Sequence, residues 1–537
     1  MEENGIMRRS RAERAAYGGT LILYGAAMAV VLALVVFAFD RVDFFLKKSF
    51  LLSQRAALLA GSAGVLLACA VSARLFAGRG GAHRRLRAAG EGCFWLALFA
   101  FQCAVAYFAY FLTDWDVGII MDSAYNMAAY GAPELVQSSY FSQYPNNILM
   151  TEIFAAVIRV FRFFAGDPGL DRCVLVLIFF LCALNTCTGA LTRRAALAMT
   201  GSRGFSWAAA LVYVAFIGVS PWSLIPYSDG LALIIPILVF RLYQRQQESR
   251  HKPLLWAGIA LLSAAGYLIK PQTFIITIAL VLLETVRLLS QGRLRAWLTR
   301  VGACLALLAV CVGPVKDWGY AHSLTQPDGK SELGLLHFVM MGLNRETTGT
   351  YSGDDFFISL GEKDRQERTR RQMEVIGERL DELGPAGLAD LYAQKILVNF
   401  ADGTFAWGIN GTFFAQMIED KDSVLSPLLK DVLYTYGSRY PAFSTWLQAV
   451  WLALLLGCLL AAWPLRGPQA LCAQQAVLCL TVFGLTAFEC IFEAKARYLY
   501  TCAPLFLLMG VWGFWRAGGA ALRHVRAKSG SSTTTGR

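Results

Sequence analysis

The sequence predicts an all-α polytopic membrane protein, with about twelve transmembrane helices and a mostly helical loop domain outside the cytoplasm. Three observations carry this. The chain of 537 residues is 56% hydrophobic, and its mean hydropathy is +0.48. Charged residues make up only 16%, well under the roughly 25% of soluble domains. Long apolar runs recur from Tyr17 to Arg516, and about 20 apolar residues at about 1.5 Å each cross a bilayer.

The net charge of +12 does not point to nucleic acid. The basic residues cluster in short segments between apolar runs, which is the positive-inside pattern of a membrane protein. Most of the thirteen cysteines lie inside apolar runs (Cys69, Cys93, Cys103, Cys182, Cys304, Cys311, Cys458, Cys479). There they act as small hydrophobes. No CxxC pair and no His/Cys cluster suggests a metal site. The first run has no clean small-residue cleavage site after it, so it reads as a retained span.

The elements follow in order. Arg8, Arg9, Arg11 and Arg14 precede the first run, 18–39, and put the N-terminus in the cytoplasm. The second run, about 51–71, ends at a basic loop holding Arg74, Arg79, Arg84, Arg85 and Arg87. Lys47 and Lys48, on the opposite side, are an exception. Residues 1–90 thus read as a two-helix addition to a core over 91–316. The third run, 93–112, leads outward into a polar and aromatic first outer loop, 113–171. Within it, 148–164 is apolar but carries Glu152, Arg159 and Arg162. It reads as a juxtamembrane or re-entrant helix; were it to span, the count would shift by one.

Runs at 174–191, 205–219, 231–240, 254–269, 274–289 and 301–315 then alternate, with Arg or Lys at each inward end. Residues 317–445 are polar and mixed, and form the outer loop domain. Its charged stretch, 362–382, reads as a solvated amphipathic helix. Three more spans, about 446–463, 470–488 and 499–515, make a C-terminal unit over 446–516. Residues 517–537 are a cytoplasmic tail, disordered in its Ser/Thr/Gly-rich end. Both termini lie inside, and the expected location is the cell (plasma) membrane.

This topology brings four polar clusters to the outer side: Asp114/Asp116, Tyr227-Ser228-Asp229, Lys270-Pro271-Gln272, and the charged stretch 489–498. The spans were placed from the Lys/Arg loops, so the agreement is independent support for one shared site. Asp114 and Asp116 directly follow a span. Burying an ionised Asp near hydrocarbon costs about 2.5–3.5 kcal/mol, so the pair is either a general base or cation site or a wet helix cap. Tyr140-Phe141-Ser142-Gln143-Tyr144-Pro145-Asn146-Asn147 combines rings and amides, as a sugar-binding surface does. Tyr144, Asn146 and Asn147 are its candidates, with Asn147 equally readable as an N-cap. Asp122 reads as an acidic first-turn residue.

Lys270 either pairs with a lipid phosphate or snorkels. Glu493, Arg497 and Tyr498 precede the last span, and the Arg497 fork suits a phosphate. In the loop domain, the His337 to Leu343 and Asp402 to Trp407 pieces are placed to close over a substrate; His337 by itself reads as structural. Asn410-Gly411-Thr412 is a glycosylation sequon.

With these residues in view, the pattern resembles the GT-C superfamily of polyprenyl-phosphate-dependent glycosyltransferases. It is most similar to multispanning bacterial members related to protein-O-mannosyltransferases and aminoarabinose transferases. The matching pieces are Thr113-Asp114-Trp115-Asp116 after a span, with Ala124-Tyr125 beyond it, and Pro226-Tyr227-Ser228-Asp229 opening a span. Ile269-Lys270-Pro271 and Glu493 with Arg497-Tyr498 also match. The 140–147 stretch stands where relatives often carry His-Pro-Pro. The resemblance covers 93–515.

It implies a GT-C-like fold and inverting transfer of a sugar from a polyprenyl-phosphate-linked donor to a non-cytoplasmic acceptor of the cell envelope, in the membrane lipid. Asp116, or Asp114, would deprotonate the acceptor hydroxyl. Lys270 and Arg497 would neutralise the phosphate leaving group. Asp229, Tyr144, Asn146, Asn147, Glu493 and Tyr498 would bind substrate. A divalent cation, Mg or Mn on Asp114 and Asp116, stays open, since members differ in metal need. The competing readings are a lipid-linked glycan flippase or transporter, which calls for mid-span charges and internal symmetry, and a polysaccharide polymerase.

Overall fold

The computed structural model describes residues 10–41, 49–76, 84–246, 249–362, 364–411, 414–463 and 472–531, and the side chains among them except 84–87, 410 and 520–531. Arg8, Arg9, Lys47, Lys48, Arg79 and the sequon's Thr412 lie outside the described residues.

Among the described residues, nine helices are long and apolar enough to cross a membrane. They are Arg11–Phe37, Gln54–Leu75, Ala88–Ala109, Leu170–Thr200, Lys252–Ile269, Pro271–Ser290, Leu294–Ala321, Tyr440–Ala462 and Ala473–Ile491. Nine of the expected runs meet this criterion among the described residues. Two of the remaining apolar runs form shorter helices at prolines, and the last lies mostly in the 29-residue helix Ala503–Ser531. Arg203–Gly218 stops just before Ser220-Pro221, since a residue ahead of proline is pushed out of the helical region. The 231–240 run divides into Ser228–Ala232 and Ile234–Arg245. Pro236 lacks the N–H that would bond the Ala232 carbonyl, and its ring crowds that carbonyl. The last run divides after Arg497–Tyr500, where Pro504 stands in the same relation to Tyr500.

The chain is mostly helical, in keeping with the all-α class, with one short pairing: Phe111–Thr113 (β1) runs antiparallel to Phe414–Met417 (β2) and ties the first loop to the loop domain. The final helix, Ala503–Ser531, runs well past Arg516. Ala517, Ala520, Ala521 and Leu522 are strong helix formers, and the tail is helical as far as Ser531, into the Ser/Thr/Gly-rich end where disorder is expected. Ile148–Ala165 is an amphipathic helix outside the nine. It buries Met150, Phe154 and Ile158 and exposes Val160, Phe163 and Phe164, as an interfacial helix does.

The first two helices are no peripheral addition. Tyr24 donates to the Cys458 carbonyl at 2.8 Å, Leu51 N–H to Thr445 at 2.7 Å, and Gln448 to Gln54 at 2.6 Å. They pack on Tyr440–Ala462. That helix also carries Trp451, fully buried among Phe216, Phe400, Phe405 and Phe506. Its indole N–H reaches the Phe400 carbonyl at 2.8 Å. This aromatic knot joins the loop domain to the spans and fixes the floor under the polar clusters.

Candidate catalytic pocket

The first outer helix, Trp115–Ala129, starts with a strained residue. Trp115 has φ 52°, a left-handed value that costs a bulky side chain about 1–3 kcal/mol and concentrates at functional sites. Asp114 caps this helix: its carboxylate accepts from Trp115 N–H at 2.8 Å and is exposed. Asp116 turns the other way. It accepts from the Tyr227 hydroxyl at 3.2 Å and lies within the electrostatic reach of the Tyr140 hydroxyl. Tyr140 in turn accepts from Asn147 at 2.7 Å, and Asn146 donates to Asn147 at 3.3 Å. Tyr144, half-buried, faces Asp116 and Glu493. The 140–147 stretch and the acidic pair therefore share one wall.

The cations form the opposite wall. Lys270 pairs with Asp229 at 2.6 Å, lies 3.4 Å from the Ser228 hydroxyl, and stands over the Tyr498 ring at 4.8 Å. Arg497 lies over Trp115 at 4.7 Å and over Tyr227 at 5.1 Å. Its Nε and Nη1 are buried and make no hydrogen bond. Glu493 is already engaged, by the Tyr498 hydroxyl at 2.7 Å and more loosely by Lys495 at 4.0 Å. All ten residues singled out from sequence thus lie in or directly beside this pocket, except that Asp114 points outward.

Charge and burial shape its chemistry. Burial, then the Asp116 charge, push the Tyr227 hydroxyl well above its usual range. Burial likewise pushes the Tyr140 hydroxyl up, helped by Tyr227 and Asp116. Both phenols therefore stay protonated, and Tyr227 donates to Asp116. Burial and the neighbouring Arg497 charge push the Lys495 ammonium down to about 8. Asp229 is committed to Lys270 and Glu493 to Tyr498, which leaves the Arg497 donors unmatched.

Several contributors escaped the sequence reading. Tyr227 and Tyr140 lay inside the quoted motifs, but only their neighbours were picked. Lys495 stands two residues from Arg497. Lys395 gave no signal at all. It is fully buried, and its ammonium donates at 2.7 Å to each of the Gly342, Cys490 and Phe492 carbonyls. It thereby holds the end of the helix Gly334–Gly342 and the segment leading to Glu493. Gly349, at φ 73°, packs against the Lys395 chain and accepts from Ala494 N–H at 2.7 Å.

The loop-domain pieces act as scaffold. Asp402 accepts from Thr404 N–H at 2.8 Å and Ala406 N–H at 2.9 Å, and the next residue, Gly403, donates to Gln448 at 2.6 Å. His337 is buried with its ring nitrogen 2.8 Å from the Ser359 hydroxyl. The charged helix, Arg365–Phe400, carries the expected exposed ladder of Arg370 with Glu367 and Glu374. Its Arg368, however, is buried and donates to four carbonyls.

A divalent cation does not fit. Among the described residues no group of three or more His, Cys, Asp or Glu side chains gathers to hold one. Asp114 and Asp116 point apart, and Asp116 is occupied by the Tyr227 hydroxyl.

Fold and pocket together define a multi-pass helical membrane protein with a buried, charged pocket where its first loop, its loop domain and its span ends meet. The chain belongs to the family described as conserved hypothetical integral membrane protein, whose profile matches residues 25–517. No curated protein matches it.

Proposed function

We propose that this protein is a membrane glycosyltransferase. It moves a sugar from a polyprenyl-phosphate donor to a hydroxyl acceptor on the non-cytoplasmic side, with inversion. The observation that carries the reading is Arg497: a buried guanidinium with two unmatched donors, across a pocket from a carboxylate. Unmet buried donors are costly, and a phosphate matches a guanidinium fork.

The roles follow. Arg497 and Lys495 bind the phosphate and stabilise it as it leaves, an effect of about 10²–10³-fold in rate for one such donor. Lys270, tethered to Asp229, adds to the positive wall. Asp116 accepts the acceptor's proton as the sugar C–O bond to phosphate breaks and the bond to the acceptor oxygen forms. Tyr227 holds Asp116 aimed until the acceptor displaces it. Tyr144, Asn146 and Asn147 line the wall where sugar hydroxyls would bind. The charges gather at the ends of spans rather than in mid-span of two matching halves, which favours an enzyme over a transporter.

The test is sugar transfer in membranes from a panel of radiolabelled polyprenyl-phosphate sugars. Asp116→Asn is expected to lose transfer by about 10²–10⁴-fold, the usual worth of a general base, while still binding donor. Arg497→Met is expected to lose donor binding as well. Asp114→Asn, a cap change, is expected to keep most activity. Full transfer by Asp116→Asn would remove the reading's base and overturn the mechanism.

A further inference from the structure

Lys270 stands between the spans Lys252–Ile269 and Pro271–Ser290, so the pocket lies at one end of both. A second polar cluster is built at their other end, about 27 Å away for an 18-residue helix at about 1.5 Å per residue. The proposed reaction makes no use of it. Its centre is Glu284, fully buried. Arg287 clasps Glu284 with two bonds, at 2.8 and 2.5 Å. Arg300, from the next span, reaches it at 3.6 Å. A wide π-turn over Leu298–Gly302 carries Arg300, which is itself buried. Such turns are frequent at functional sites.

Two more cations complete the group. Lys252 opens its span and Arg293 stands in the turn before the next one, and both lie within the electrostatic reach of Arg287 and Arg300. Among the described residues, four cations therefore gather around Glu284. Glu13 of the first helix is the acid beside them, and it is taken by Gln291 at 3.3 Å. The Tyr243 ring adjoins Glu284 and brings no charge.

The positive-inside rule explains Lys and Arg in watery loops. It does not explain an excess of two positive charges, four cations against Glu284 and Glu13 among the described residues, gathered around buried Arg300, because unbalanced charge at a membrane boundary is costly. An anion is required. The surroundings say which kind: Leu254, Leu294 and Leu298 flank the cluster and are 72%, 56% and 52% exposed. In a bilayer those surfaces face acyl chains. We propose that the cluster binds the headgroup phosphate of an anionic phospholipid of the surrounding bilayer, with its acyl chains lying along Leu254, Leu294 and Leu298. Basic pockets between spans take anionic headgroups in this way.

The experiment is native mass spectrometry of the full chain, released from detergent with phosphatidylglycerol, phosphatidylcholine or glycerol 3-phosphate. Wild type is expected to retain phosphatidylglycerol well over phosphatidylcholine. Lys252→Gln with Arg293→Gln spares the Glu284 pairs and is expected to weaken retention about thirty-fold, from two neutralised surface cations. Lys252→Arg with Arg293→Lys keeps the charge and should restore retention, which separates lost charge from misfolding. Arg497→Met should leave this lipid in place, which separates the site from the pocket. Equal retention of phosphatidylglycerol by wild type and the Gln pair would overturn the proposal. So would even competition by phosphatidylcholine. Binding of glycerol 3-phosphate as tight as that of the lipid would make it a soluble-phosphate site instead.

Discussion

Asp114 and Asp116 stand two residues apart and do different work. One caps a helix from the outside; the other takes the Tyr227 hydroxyl as donor inside the pocket. Sequence spacing marks the pair but does not divide the labour, because the division rests on Trp115 at φ 52° turning the chain between them. Lys495 sets a pH dependence at the same scale. Its ammonium, held down to about 8, is charged below that pH and neutral above it. Binding of a polyprenyl phosphate to the pocket is therefore expected to weaken as pH rises through about 8. Titrating donor binding from pH 6.5 to 9.5 checks this, and Lys495→Arg should move the fall to higher pH. An unchanged profile in Lys495→Arg would assign the titration to another group.

At the scale of elements, prolines decide which apolar runs become long helices. Pro236 and Pro504 each divide a run, and both breaks fall close to charged pocket residues, Asp229 and Arg497. The short helices Gly334–Gly342 and Gly353–Gly361 meet through His337 and Ser359. Burial pushes the His337 imidazole from 6.5 down to about 4. Between those pH values the unfolded chain binds a proton that the folded domain refuses, so stability rises with pH across the window and falls as acid is added. Limited proteolysis of the loop domain is expected to accelerate from pH 6.5 toward 4. His337→Gln should flatten that response, and an equally steep response in the variant would clear His337 of the role.

At the scale of the whole molecule, the loop domain and the spans are one unit joined at a few points. β1 with β2 is one joint, Trp451 with its ring of phenylalanines a second, and Lys395 a third. Lys395→Met would leave three carbonyls without their shared donor. Each buried, unmet polar group costs about 1–3 kcal/mol. Hydrogen exchange is expected to rise together over 342–349 and 490–497, with little change in Tyr440–Ala462. A rise spread evenly over the chain would mean global unfolding rather than a lost joint.

The sequence by itself determined the class of the molecule, because membrane burial is written residue by residue as apolar length and flanking charge. It also marked nearly every charged member of the pocket. A Lys, Arg or Asp beside an apolar run is conspicuous, since its burial is costly wherever the chain folds. The structure alone decided what depends on approach between distant segments. Tyr140 and Tyr227 came to face Asp116, Lys395 became a buried joint, and Glu284 gathered four cations. Tyrosines in aromatic loops and a lysine in a charged helix are unremarkable in sequence. They acquire their roles only when packing removes water and makes each neighbour's charge count.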